Sequence, residues 1–294
     1  MNNGQSQVLL GALQGAGRPA PGTRLNHARG LLVEGRFRAT PLAARYSMAA
    51  VLGGLDHPVL ARFSSSGADP QIDQRSQAAE PRGLAVRIGA RAAMVLVGHS
   101  LEGYPASTPQ DFLTYLRAMA APHPVLKSLP VAAQRFEYLR QSARSPSFSA
   151  LNYHFLHPYR LTAIDGHTRI GRLVLRAAKS PPLLGTPSTP DYLDRRMRAE
   201  LARESTVFAL VFTEAPSNLD PADISLQWDP TLPSVALGHL WLDHVARQQA
   251  AQRKRVFDPG LLPTGVAFAG DPMLRARLEA YRLAAAQRVG QVWD

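Results

Sequence analysis

A guanidinium and a phenol lie one helical turn apart near the end of the chain. Arg277 and Tyr281 are four residues apart in a segment, 272–288, whose apolar residues recur at helical spacing, so both side chains fall on one face. A phenol normally ionises with a pKa of ~10, and a neighbouring cation favours its anionic form. His27, near the start of the chain, carries an imidazole, whose ordinary pKa of ~6.5 suits proton transfer at neutral pH. Taken singly, each of these side chains is more often structural than catalytic, so the interpretation depends on what accompanies them.

Composition narrows the kinds of site that the chain can build. Its 294 residues include no cysteine, which excludes disulfides, iron–sulfur clusters and thiol nucleophiles. A metal would have to be held by His, carboxylate or Tyr side chains, or arrive inside a cofactor. The formal net charge is +11, but the arginines are scattered and the longest basic run is Arg253-Lys254-Arg255. Nucleic-acid binders cluster such charge on one face, so we expect no nucleic-acid partner and consider the arginines suited to an anionic small ligand.

The hydrophobic pattern predicts many short strands with helices inserted between them. Apolar runs and period-2 alternation predict strands at 30–40, 57–64, 83–88, 93–97, 159–163, 168–176, 206–213 and 235–245. Helical spacing predicts helices at 41–52, 109–121, 124–142, from Asp191 onward, and at 272–288, the last with Leu274, Leu278 and Tyr281 on one face. Residues 255–270 have the composition of a loop. This order predicts an α+β fold, a closed antiparallel β-barrel with inserted and C-terminal helices. We expect one domain over 24–294, preceded by an N-terminal arm over 1–23.

A set of short motifs follows along the chain in a fixed order. The motifs are Arg24-x-x-His27-Ala28-Arg29-Gly30, Arg62-Phe63-Ser64, Glu80-Pro81-Arg82-Gly83-Leu84-Ala85-Val86, Leu96-Val97-Gly98, Phe257-x-Pro259, Arg277-x-x-x-Tyr281 and Arg288-Val289-Gly290. No single motif is decisive, but the ordered set resembles the haem catalases, and most closely their short, single-domain relatives, the catalase-related peroxidases. The resemblance covers most of the chain from about residue 24. Between about 140 and 260 it is a resemblance of pattern only.

The resemblance implies a catalase-like β-barrel that holds haem b, iron protoporphyrin IX, and it implies a role for each residue of the set. Tyr281 would be the axial ligand of the haem iron, as a phenolate favoured by Arg277. His27 would be the distal acid and base on the opposite side of the haem, with Ser64 bonded to its other ring nitrogen. The arginines that would pair with the haem propionates are Arg24, Arg62 and Arg288.

Several positions depart from the catalase pattern. His99 stands where catalases carry a distal Asn, although a register shifted by one residue would place Ser100 there. Asn26 replaces the Val that precedes the distal His, and it could hydrogen-bond the imidazole or a bound ligand. The aromatic side chains expected along the distal channel are Tyr104, in place of a Phe, and Phe112. These changes make the second distal group different from that of a catalase and the distal pocket more polar.

The departures favour peroxidase chemistry over rapid disproportionation of hydrogen peroxide. A shorter chain predicts a wider entrance, so the resemblance implies reduction of organic hydroperoxides, and weakly of hydrogen peroxide, through an oxoferryl intermediate. A small organic reductant would complete the cycle, and catalase activity would be low. One alternative is rearrangement of a fatty-acid hydroperoxide, as in an allene oxide synthase, which a polar Asn26 would suit. Another is a non-catalytic haem-binding protein.

The apolar stretches bear on location and assembly. Val8-Leu9-Leu10 is too short for the core of a signal peptide, and no stretch reaches the ~18 apolar residues of a membrane-spanning helix. We therefore expect a cytoplasmic protein without a membrane span. Catalase relatives associate, and the short N-terminal arm favours a homodimer as the form of association here.

Overall fold

The computed structural model describes residues 3–91, 93–121, 123–179 and 188–289. The strands within these ranges are β1 (Gly30–Ala39), β2 (Asp56–Ser65), β3 (Arg82–Ile88), β4 (Met94–His99), β5 (Tyr153–Thr162), β6 (Thr168–Ala177), β7 (Thr206–Glu214), β8 (Ser234–Val245) and β9 (Val266–Phe268). The α-helices are α1 (Asn3–Gly17), α2 (Pro109–Ala120), α3 (Val131–Ser142), α4 (Tyr192–Leu201) and α5 (Pro272–Val289). Both classes of element occur along the whole chain, as an α+β fold requires.

Eight of these strands close into an antiparallel barrel. Each strand from β1 to β8 pairs with the next one along the chain, and β8 pairs back onto β1. The barrel is closed between β4 and β5 by the pairing of His99 with His154. Strand β9 adds to the far half of β5. The predicted closed antiparallel barrel with inserted and C-terminal helices is therefore confirmed.

The barrel interior is filled by alternate side chains of its strands. In β1, Leu31, Val33 and Phe37 are buried in the main core, together with Phe63 of β2 and Leu84 of β3. Period-2 alternation sends the intervening residues to the outer face of the barrel. That outer face, over β1 to β4, is where the candidate site lies.

Helices cover one side of the barrel and build a second core. Helix α1 packs against α2 and α5, and its Leu9 is buried in a cluster that includes Leu116 and Met273. The segment predicted as an N-terminal arm thus contains a helix that docks onto the helical layer. The boundary between this N-terminal segment and a single domain over 24–294 stays a prediction. No helix in the described ranges combines the length and the apolar character that a bilayer crossing needs.

Several local predictions were wrong. Residues 41–52 form two short 3-10 turns rather than a helix, and the helix predicted at 124–142 begins only at Val131, after Pro130. Proline lacks an amide donor and restricts the preceding residue, which explains the late start. The loop predicted at 255–270 contains β9.

Helix α5 buries the face opposite to its leucines. The helix buries its small residues Ala276 and Ala280, together with Met273, whereas Leu274 and Leu278 line a depression on its outer side. Small residues let a helix approach its neighbours closely. Helical spacing places the leucines on one face of the helix, but it does not show whether that face or the alanine face is buried.

Candidate functional site

Strand register places a row of polar and small residues on the outer face of the barrel. Ser64 pairs with Gly83, Gly83 with His99, and His99 with His154. Paired residues in an antiparallel sheet project to the same face. Two residues further along β2, Arg62 points the same way and is almost fully buried. The outer face of β2 to β4 therefore presents a guanidinium, a hydroxyl and an imidazole around a glycine.

His27 lies over this row. Its Nδ1 is 3.1 Å from Ser64 Oγ, and its backbone adopts a positive φ of 54°, unusual for a residue other than glycine. A Cβ on Gly83 would lie 2.5 Å from Ser64 Oγ and 2.7 Å from His27 Nδ1. The glycine therefore leaves the space in which the imidazole lies. Burial, and then the cations of Arg62 and Arg24, lower the pKa of His27 to about 3, so the imidazole is neutral across the physiological range.

Asn26 holds the His27 backbone rather than its ring. Its Oδ1 accepts hydrogen bonds from the backbone amides of His27, at 2.8 Å, and Gly67, at 2.6 Å, and from Ser66 Oγ at 3.2 Å. An asparagine that turns back on the local backbone is common at tight turns. The amide oxygen is thus engaged by the backbone, and the expected hydrogen bond from Asn26 to the imidazole or to a ligand stays a prediction for its amide nitrogen.

His99, not Ser100, occupies the second position beside His27. Its Nδ1 accepts a hydrogen bond from the Leu101 amide at 3.3 Å, which leaves the ring proton on Nε2. Nε2 is buried and has no hydrogen-bond partner among the described residues. Burial, and then the cation of Arg277, lower the pKa of His99. The Oγ of Ser100 instead accepts a hydrogen bond from the Arg82 backbone amide, so this side chain is turned away from His27.

Three arginines meet beside His27. Burial, and then the cations of Arg62 and Arg288, hold the pKa of Arg24 well below its ordinary value, and burial and Arg288 lower that of Arg62 to about 10. Arg24 donates to the backbone oxygens of Gln252 and Arg255, at 3.0 and 2.7 Å. Like charges this close destabilise one another unless an anion accompanies them. The cluster is suited to a ligand with more than one negative charge.

A hydrogen-bonded chain supports Tyr281 from the side of α5. Arg277 bonds the Tyr281 phenol and donates from Nη1 to His157 Nε2 at 2.9 Å. Because a guanidinium can only donate, His157 must carry its proton on Nδ1, which lies 2.7 Å from Asp271 Oδ2. Burial, and then Arg277, lower the pKa of His157, which agrees with a neutral ring in this position. The contacts from Asp271 through His157 to Arg277 thus hold the guanidinium beside the Tyr281 phenol.

His27 and Tyr281 border the same space from different elements. Arg24 and Arg277 each interact electrostatically with both residues. Tyr281 is 39% exposed although its neighbour Ala280 is buried, and His27 and Arg277 are only half-buried. All three side chains therefore keep part of their surface open to solvent. A flat dianionic macrocycle with a central metal matches these groups, because the phenol can ligate the metal and the arginines can pair with the carboxylates.

Comparison with known proteins points to one group of enzymes. No model of a known protein family matches the chain. The chain is 29% identical over 306 residues to a catalase-related peroxidase of Mycolicibacterium paratuberculosis, covering 96% of this chain and 94% of the relative. It is 25% identical over 305 residues to a catalase-related peroxidase of Synechococcus elongatus, covering 95% and 87%.

Solved structures of catalases share the fold. Catalase A from Saccharomyces cerevisiae superposes with a TM-score of 0.82 at 18% identity, over 93% of this chain. A fungal catalase gives 0.77, also at 18% identity and over 93% of this chain. The chain spans only about three fifths of the length of either catalase, 62% and 61%. The chain is thus similar in sequence to two catalase-related peroxidases and shares its fold with catalases.

In this catalase-like chain, the two predicted channel aromatics lie next to each other on the helical side. Tyr104 packs between His99 and Arg277. Its ring centroid lies 6.3 Å from that of His99 and 5.0 Å from the guanidinium carbon of Arg277. Phe112 of α2 lies behind it at 5.1 Å. Tyr104 thus contacts both the sheet side and the α5 side of the site, whereas Phe112 belongs to the second core.

Two members of the site were missed by sequence reasoning. His157 lies in the middle of β5, and nothing in its local sequence distinguishes it from a structural histidine. Asp271 could have been found as a helix start, because its Oδ1 accepts from the Met273 amide at 2.9 Å and Pro272 follows it. Its second oxygen reaches His157 only because β5 and α5 are adjacent in the fold.

The buried imidazoles predict a pH dependence of stability for the haem-free chain. Unfolded, each imidazole takes up a proton near its ordinary pKa of 6.5, but folding lowers the pKa to about 3 for His27 and, through burial and Arg172, to about 4 for His154. The unfolded state therefore binds more protons below pH 6.5. We expect the free energy of unfolding to fall between pH 6.5 and 4 by ~1.4 kcal/mol per pH unit for each group.

Urea denaturation at pH 7 and pH 5 measures this loss. The variant His154→Asn should show a smaller loss between the two values, since one titrating group is gone, while His123→Asn, at an exposed histidine, should behave like the parent chain. Equal losses in all three proteins would contradict the assignment of His154 as a group kept neutral by folding.

Proposed function

We propose that this chain is a haem-dependent peroxidase that reduces organic hydroperoxides, and hydrogen peroxide weakly, with electrons from a small organic reductant. The observation that carries the proposal is that His27, bonded to Ser64 on the sheet, and Tyr281, one helical turn after Arg277 on α5, both interact with Arg24. The names of the two relatives, both catalase-related peroxidases, support the same reaction class.

The residues on the α5 side suit the binding of haem. Tyr281 would ligate the iron through its phenolic oxygen, and the Arg277 guanidinium would lie beside that oxygen. Arg24, Arg62 and Arg288 would pair with the two propionates, which relieves the mutual repulsion of the cluster. When bound, haem would supply an iron centre that takes up both oxidising equivalents of the hydroperoxide and then oxidises single-electron donors.

His27 performs the proton transfers in this proposal. A hydroperoxide must lose the proton on its near oxygen and gain one on its far oxygen before the O–O bond can break. A neutral imidazole can accept the first proton on Nε2 and deliver it to the second oxygen, and burial keeps His27 neutral for this task. Ser64 at Nδ1 fixes the tilt of the ring.

His99 distinguishes this site from that of a catalase. Its protonated Nε2 is buried, without a partner among the described residues, and available to donate to a bound oxygen. An imidazole is wider than the Asn expected there in catalases, which alters how a second small peroxide would be bound. We therefore propose low catalase activity and a preference for larger hydroperoxides.

One alternative has weaker structural support. Rearrangement of a fatty-acid hydroperoxide was favoured by a polar Asn26, but the amide oxygen of Asn26 is bonded to the backbone of His27 and Gly67, which leaves only its amide nitrogen for that role. A non-catalytic haem binder would need Tyr281 and the arginines but would have no use for the His27–Ser64 pair. The presence of that pair favours the peroxidase.

Absorption spectra test the proposal. The protein is expressed with added haem precursor, and the spectrum is recorded before and after one equivalent of cumene hydroperoxide, with guaiacol then added as the donor. We expect a Soret band that shifts with the hydroperoxide and returns with guaiacol, and little oxygen release from hydrogen peroxide. Haem-bound protein whose spectrum ignores both peroxides would point to the non-catalytic binder, and protein that acquires no haem would end the proposal.

A further inference from the structure

Aromatic rings form an unbroken path from the candidate site into the helical layer. Tyr104, whose ring lies against the Arg277 guanidinium, contacts Phe112 at 5.1 Å and Phe136 at 6.4 Å between ring centroids. Both phenylalanines in turn contact Tyr115, at 6.1 and 6.3 Å. Two parallel routes thus join the phenol of Tyr104 to the phenol of Tyr115.

The far end of this path carries a proton acceptor. Tyr115 donates from its hydroxyl to Glu137 Oε1 at 2.6 Å, and Glu137 is completely buried. Arg140 donates to both oxygens of the same carboxylate, at 2.7 to 3.0 Å, and forms an ion pair with it inside the helical layer. A short bond from a phenol to a carboxylate is the arrangement that lets a tyrosine give up an electron and its proton together.

We propose that Tyr115 is a redox-active tyrosine that holds one oxidising equivalent outside the hydroperoxide site. The proposal rests on the proposed function, because a hydroperoxide reduced at the haem is the oxidant. One electron passes from Tyr115 along the aromatic path toward the oxidised site, and the phenolic proton moves to Glu137 Oε1. The products are a neutral tyrosyl radical and a glutamic acid. A phenolic donor then returns an electron to Tyr115, and Glu137 returns the proton.

The charges along the path favour Tyr115 over Tyr104 as the resting place of the radical. Arg277 puts a cation 5.0 Å from the Tyr104 ring, and loss of an electron from that ring would be opposed by the cation. At Tyr115 the Arg140 cation is paired with the Glu137 carboxylate, so no unpaired cation opposes loss of an electron there, and Glu137 Oε1 can take the released proton.

Freeze-quench electron paramagnetic resonance tests the proposal. Haem-loaded protein is mixed with cumene hydroperoxide in the absence of a donor, and the signal is recorded with ordinary and with ring-deuterated tyrosine. We expect a tyrosyl signal that narrows on deuteration, and that Tyr115→Phe loses most of it while Tyr138→Phe, at a tyrosine that is 71% exposed on α3, keeps it. A signal of full intensity in Tyr115→Phe would overturn the proposal.

A second variant separates a redox role from a structural one. Glu137→Gln keeps an oxygen that can accept the Tyr115 bond but removes the base, so the radical should be lost while Tyr115 and its ring contacts remain. A melting temperature for each variant shows whether the fold is kept, and Phe112→Leu with a retained fold should slow formation of the radical by breaking one of the two routes. An undiminished radical in Glu137→Gln would contradict the proton transfer.

The two proposals fail in different ways. If the Soret band does not respond to hydroperoxide, the proposed function has failed and no radical is expected. If the Soret band responds normally and no tyrosyl signal forms at Tyr115, only the redox role of Tyr115 is refuted.

Discussion

Replacing Tyr281 by phenylalanine is expected to remove most of the bound haem. The substitution keeps the ring and removes only the oxygen that would ligate the iron. Changing even an outer-shell partner of a metal ligand commonly costs 10–100-fold in affinity, so losing the ligand itself should weaken haem binding by more than ~100-fold. The arginine cluster remains, and it would hold the propionates without fixing the iron.

Titration of the haem-free protein with haem, followed by desalting and measurement of the Soret band, checks this expectation. Tyr138→Phe is the matched control, because it makes the same chemical change at an exposed position on α3. A Tyr281→Phe protein that retains haem with an unaltered spectrum would refute the ligand assignment. Retained haem with a shifted spectrum would mean that another side chain can substitute for the phenol, which again removes Tyr281 as the essential ligand.

Replacing His27 by alanine is expected to leave haem in place and abolish fast reaction with hydroperoxide. Positioned acid–base groups contribute typically ~10²–10⁴-fold to rate, so the second-order rate constant for cumene hydroperoxide should fall by that range. Haem should stay bound because Tyr281 and the three arginines are untouched. The residue also holds a positive φ of 54°, and alanine tolerates that conformation less well than glycine, so His27→Gly is a useful second variant.

Stopped-flow absorption with a fixed excess of hydroperoxide measures the rate constant. The control His244→Ala removes an exposed imidazole that pairs with Glu34 on the far part of the barrel, and it should react like the parent protein. Added imidazole should restore part of the rate in His27→Gly if the missing ring is what moves the proton. An undiminished rate in both His27 variants would transfer the role to His99.

Much of the fold could be predicted from local patterns. Strand β1 begins at Gly30 as predicted and ends within a residue of its predicted end, and β8 and α5 match their predicted ranges within one residue. The dipeptide Asp165-Gly166, which is typical of tight hairpin turns, lies in the turn between β5 and β6, with Gly166 at a φ of 85°. These features depend on spacing and turn chemistry within a few residues, which is information that a sequence contains directly.

Other features required the packing of distant segments. The choice between His99 and Ser100 was open in sequence and is decided by strand register, which puts His99 opposite Gly83 beneath His27. The orientation of Asn26 toward the backbone depends on Gly67, which lies forty-one positions away. Neither contact leaves a mark on the local pattern.

The amino-acid sequence by itself determined the kinds of chemistry available: no thiol, a phenol with a guanidinium one helical turn before it, a histidine near the start of the chain, and an ordered set of arginines. Only the tertiary structure decided which of these groups meet. Closure of the barrel and docking of α5 place Asp271 and Arg277 beside His157, over separations of 114 and 120 residues. The physical reason is that periodicity specifies the face of a strand or helix, whereas the partner of that face is selected by packing of the whole chain.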